Sequence, residues 1–156
     1  MAVRTRAEIE RIWLHVESVK KLFDRIIPLG PFGGIGLDGL LAWAPGINII
    51  FSAGAGGYLL LQGVRARASP GTLLRMAGYL GIDTMTDAVP IPFAGAALDT
   101  VFQAHMMAAT ALQKDIESTH WVEGSGRDAR ASGAYENHMA HVRATPGLKR
   151  VVYLHD

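Results

Sequence analysis

A chain of 156 residues fits one domain with a short appendage, and its 49% hydrophobic and 19% charged residues leave it poorer in charge than the roughly 25% of an average soluble domain. A net charge of +1 with no basic run excludes the phosphate-neutralising face of a nucleic-acid binder. Cysteine is absent, so disulfides and thiolate zinc sites are excluded as well.

The opening stretch MAVRTRAEIER carries charge where a secretory signal would carry its apolar run, so no cleavable signal is read there. Over residues 1–27 the apolar side chains Ile9, Ile12, Trp13, Val16, Val19, Leu22, Phe23 and Ile26 recur at steps of three and four, which predicts an amphipathic helix stopped by Pro28. Its other face mixes Arg and Lys with Glu and Asp. That pattern suits a helix docked on its own protein or one lying in the lipid headgroup plane.

Residues 28–36 are rich in Pro and Gly and read as a break. Residues 39–64 then run without one charged side chain, longer as a straight helix than the roughly 30 Å of bilayer hydrocarbon, although Pro45-Gly46 interrupts it. Two weakly similar halves, 34–66 and 70–113, share a Gly-x-Asp followed seven residues later by Pro, at Asp38 and Pro45 and again at Asp83 and Pro90. Between them lies the basic turn Arg65-Ala66-Arg67-Ala68-Ser69-Pro70, with Ser69 placed to cap the next helix. The expected fold is all-α: proline-broken helical hairpins embedded in a membrane over 28–114, with spanning limbs at 47–64, 72–89 and 92–113. The positive-inside rule then puts the amphipathic helix, the basic turn, Lys114 and the tail on the cytoplasmic face.

Residues 115–156 are polar and read as a water-facing tail. Within it, 134–142 predicts a helical stretch and 149–154 a short strand or docking segment.

Four aspartates in an apolar stretch carry the sharpest chemistry, because an ionised carboxylate in hydrocarbon costs several kcal/mol unless it finds water or a partner. Asp38, Asp83, Asp87 and Asp99, with His105 beyond them, form either a track for protons or a cation, or a set of helix-end caps beside a satisfied core histidine. Ser52, Ala53, Gly56 and Gly57 belong to a small-residue stripe that lets helix backbones approach closely. His138 and His141 share a helix face without an evident third ligand, so no metal is expected. Gly34-x-Gly36-x-x-Gly39 lacks the preceding strand and following acid of a dinucleotide site, so no cofactor is expected either.

The ordered elements Gly36-Leu37-Asp38, Pro45-Gly46, Leu73-Leu74-Arg75-Met76-Ala77, Ile82-Asp83, Ile91-Pro92, Gly95, Asp99 and Phe102 resemble the bacterial membrane family catalogued as domain of unknown function 4112. The resemblance implies a small inner-membrane protein without an assigned activity. The family's Gly-Asp after each proline is replaced here by Asn48-Ile49 and Gly95-Ala96.

The expected role is a non-enzymatic structural or accessory component of a membrane complex or homo-oligomer, with the lipid bilayer as its partner. Two alternatives stand beside it: a proton or cation pathway through the aspartates, and a soluble helical domain, for which a mean hydropathy of only +0.19 argues. No convergent acid, base, nucleophile or metal set names a reaction.

Overall fold

A computed structural model of the chain describes residues 4–26, 47–87 and 94–156, with side chains placed over 4–21, 53–81 and 103–156. Among the described residues six helices and two strands follow in order: α1 (Arg6–Ile26), α2 (Ile47–Arg65), α3 (Pro70–Asp87), α4 (Ala94–Glu117), β1 (Thr119–Val122), α5 (Gly126–Ala131), α6 (Ala134–Ala144) and β2 (Arg150–Tyr153).

The start of α1 is a capping box. Thr5 Oγ1 accepts the Glu8 amide at 3.3 Å, and Glu8 Oε2 accepts the Thr5 amide at 3.1 Å, so two helix-end donors are satisfied reciprocally. The predicted apolar face is the docked face: Ile9, Ile12 and Val16 are buried in the main core. That face packs on α4. Polar contacts pin the seam, with Trp13 Nε1 donating to Glu117 at 3.0 Å and Gln113 Nε2 donating to Glu17 at 2.9 Å. Of the two settings open to an amphipathic helix, α1 takes the one on its own protein.

Helices α2 and α3 form a hairpin about the basic turn. Ser69 Oγ accepts the Thr72 amide at 3.3 Å and Pro70 opens α3, where a missing N–H costs nothing. The two helices come close at Gly63, where an added Cβ would stand 2.9 Å from Leu73 Cδ2. Helix α4 packs against α1, α2 and α3 and supplies Ala108, Ala109, Leu112 and Ile116 to the core.

The segment after α4 closes on that same core through Trp121 and Leu154. Strands β1 and β2 pair in parallel with Thr119 opposite Arg150 and Val122 opposite Tyr153. Parallel neighbours need a crossover, and α5 with α6 provides it. Ser125 caps α5 by accepting the Arg127 amide, and Gly133, at φ 79°, turns the chain into α6.

The all-α expectation therefore holds for the bulk of the chain, with one two-stranded sheet added where only a polar tail and a single short strand were expected. The spanning limbs are a different matter. Among the described residues no helix is long and apolar enough to cross a membrane. Helix α3 carries Arg75, Asp83 and Asp87 within 18 residues, and α4 carries Asp99, Lys114, Asp115 and Glu117. The proline breaks at Pro45-Gly46 and Pro90 to Pro92 lie outside the described residues.

Candidate functional site

Of the aspartates and the histidine expected to carry chemistry, only His105 has its side chain among the described residues. Asp38 lies outside the described residues. Asp83 and Asp87 fall near the end of α3 and Asp99 near the start of α4, and their side chains also lie outside the described residues. His105 is buried on α4 where it meets α2 and α3. Its Nε2 would stand 3.5 Å from a Cβ added at Gly56, whose other near neighbour is Leu80 Cδ2 at 3.3 Å. Of the small-residue stripe, Gly56 is thus at a close approach, whereas a Cβ at Gly57 would meet nothing within 4 Å. Ala53 and Gly57 line an open cleft of about 340 Å³ floored by His105, and the Ser52 side chain lies outside the described residues.

Large apolar side chains are exposed at the turn end of the α2–α3 hairpin. Leu61, Val64 and Leu74 are 55%, 60% and 76% exposed, with Tyr58 one turn before Leu61. Because Gly63 sits level with Leu73 and Met76, these side chains gather at the turn end of the hairpin. Most soluble domains scatter such residues singly, and a contiguous group marks a contact surface. Exposed cations rim it: Arg65 ends α2, Arg75 follows Leu74, and Lys114 stands across on α4.

Between α3 and α4 runs a cleft of about 330 Å³, with Arg75 and Lys114 on its lips and Tyr79, Met107 and Ala111 among its walls. Among the described residues no carboxylate lines it. The nearest acid in sequence, Asp115, is engaged on the other side. It accepts from Ser69 N at 3.1 Å, Ser69 Oγ at 2.8 Å, Thr72 Oγ1 at 3.0 Å and Arg150 Nη2 at 2.6 Å. Burial pushes the Asp115 carboxyl up, but the Ser69, Arg150 and Thr72 contacts together outweigh it and hold its pKa below the ordinary carboxylate value. Arg150 continues the network by donating from both Nη atoms to the Arg67 carbonyl, and Arg67 in turn donates to the carbonyls of Tyr153, Leu154 and Asp156. Half of the basic turn is therefore spent on holding β2, which leaves Arg65 as its solvent-facing cation.

His138 and His141 do gain a third ring. His120, on β1, meets His138 Nδ1 through Nε2 at 3.2 Å, and its ring centroid lies 4.7 Å from that of His141. Partial burial, then the neighbouring His141 and His138 rings and Arg6, hold the His120 pKa below the ordinary histidine value. Among the described residues no group of three ligating side chains is arranged to hold a metal ion. No spacing rule announces this cluster, because β1 and α6 meet only through the fold.

The family model described as "Domain of unknown function (DUF4112)" matches residues 12–116, which takes in α1 from its second turn through nearly all of α4. No curated protein and no solved structure matches the chain.

Proposed function

We propose that this chain, which belongs to the DUF4112 family, is a non-catalytic structural or accessory protein that docks on lipid through the outer face of its α2–α3 hairpin. The observation that carries the reading is the exposed group Leu61, Val64 and Leu74, rimmed by Arg65, Arg75 and Lys114. Apolar side chains that sink into the acyl boundary below a ring of cations are the composition of an interfacial contact, which needs no helix to cross. The cations sit at the end of the hairpin placed on the cytoplasmic side by the positive-inside reading, and this supports a site on the inner face of a bacterial cytoplasmic membrane. A homo-oligomer or a larger membrane complex would then assemble on that surface.

Vesicle flotation tests this. The intact chain is expected to float with phosphatidylcholine vesicles containing phosphatidylglycerol, and the triple variant Leu61→Ser, Val64→Ser, Leu74→Ser is expected to stay in the load fraction with its helical circular dichroism unchanged. An intact chain that stays in the load fraction with every vesicle tried would overturn the reading.

A further inference from the structure

We infer that the cleft between α3 and α4 is a binding subsite for an anionic phospholipid headgroup, with Arg75 and Lys114 as its phosphate ligands. The inference rests on the lipid-docking reading and adds a ligand class to it. Three observations meet at this cleft. Among the described residues Arg75 and Lys114 both line it while no carboxylate does, so the described lining carries net positive charge. Among the described residues neither cation is ion-paired. The one acid beside Lys114 in sequence, Asp115, points its charge at Arg150 and Ser69 instead.

The walls fit the rest of such a ligand. Thr110 lines the cleft with its hydroxyl-bearing side chain, while Met107, half exposed, and Ala111 give the apolar surface along which a glycerol and the head of an acyl chain would lie. Leu74 precedes Arg75 on α3 and is the most exposed of the large apolar side chains, so the cleft opens beside the lipid-docking face. Arginine presents a planar fork that takes a phosphate through two bonds, and lysine adds a mobile point charge, a division of labour suited to a phosphodiester. About 330 Å³ admits a headgroup and its glycerol, not a whole lipid, so the chains would remain in the bilayer.

The test compares binding of the full chain to vesicles of pure phosphatidylcholine and to vesicles with three parts in ten phosphatidylglycerol. The wild type is expected to prefer the anionic vesicles, and Arg75→Gln with Lys114→Gln to lose about 25-fold in affinity for them, since each cation at an anionic surface is worth about fivefold. A charge-matched control, Arg127→Gln with Arg143→Gln, changes two exposed cations that line neither this cleft nor the neighbouring pocket shared by Lys114, and is expected to lose little. Equal losses in the two double variants would overturn the subsite in favour of general attraction. So would a wild type that binds both vesicles equally, an outcome that leaves the docking face intact; a wild type that binds neither removes the docking face itself. An inorganic phosphate titration at constant ionic strength separates the sources: amide shifts at Thr110 and Lys114 that saturate at millimolar phosphate without vesicles would assign the cleft to a free anion and overturn the lipid assignment.

Discussion

Arg67 and Arg150 are cross-tied through the backbone: Arg150 donates two hydrogen bonds of 3.0 Å to the Arg67 carbonyl, and Arg67 donates to the carbonyls at 153, 154 and 156, immediately beyond and at the end of the strand that Arg150 begins. The pair fastens the turn between α2 and α3 to β2 and draws Asp115 of α4 into the same network. One polar knot thus holds three elements that are far apart in sequence.

Arg150→Met is therefore expected to lower stability by about 2–3 kcal/mol, because it leaves the Asp115 carboxylate without its cation and the Arg67 carbonyl without its donors. Urea unfolding would read this as a lower midpoint with an unchanged slope. A shift equivalent to less than about 0.5 kcal/mol would mean that the knot is ornamental.

The same carboxylate sets an acid limb. The Asp115 pKa in the folded chain is below its ordinary value of 3.8, so folding favours the ionised form. Its contribution is complete above that ordinary value and is lost as pH falls through the lower folded value. Asp115→Asn should be less stable than the wild type at neutral pH, with the gap closing on acidification below about pH 4. Parallel curves of unfolding free energy against pH for the two proteins would contradict the assignment.

A second limb belongs to His120. Its folded pKa lies below the ordinary 6.5, and the charged or titratable groups around it among the described residues include Arg6 and Glu10 of α1, Glu117 of α4, Glu123 just after β1, His138 and His141 of α6, and Tyr153 of β2 through its contact with His138. Glu123 accepts the Arg6 amide at 2.7 Å. The unfolded chain takes up this proton first, so the contribution is whole above about pH 6.5 and falls away below it. Proton NMR of the imidazole Cε1–H should give an apparent pKa under 6.5, and His120→Asn should flatten the stability curve in that window. An apparent value of 6.5 or more would remove the effect.

Glycines of α2 divide by what faces them. Gly57→Ala enters open space and should raise stability by up to about 1 kcal/mol through helix propensity. Gly63→Val puts a branched side chain where even a Cβ comes within 2.9 Å of Leu73, and should cost about 1–3 kcal/mol. Thermal melts of the two variants with shifts of the same sign would contradict the packing described at this seam.

Local pattern carried much of the architecture into view. The i, i+3, i+7 spacing of Ile9, Ile12 and Val16 identifies the buried face of α1, and Ser69 before Pro70 marks the start of α3. Residues 134–142 and 149–154 bracket α6 and β2 to within two residues. What stayed hidden is non-local. β1 is four residues long and its partner lies 31 residues on, so neither β1 nor the pairing leaves a local signal to read. The three-histidine cluster, the Asp115 network and the redirected Arg67 all depend on that pairing, and a composition that reads as a water-facing tail conceals Trp121 and Leu154 at the core. Hydropathy averaging also passes over charges such as Arg75 and Asp83 in α3, and among the described residues no helix is long and apolar enough to cross a membrane.

Position 67 answers two demands that pull against each other. Its φ of 49° is a conformation glycine takes freely and a side-chain-bearing residue takes at about 1–2 kcal/mol, yet glycine would release the three carbonyls that the guanidinium gathers. Lysine would keep the backbone penalty and forfeit the fork. The site is thus a compromise with no conservative replacement, and repairing either defect by substitution reopens the other.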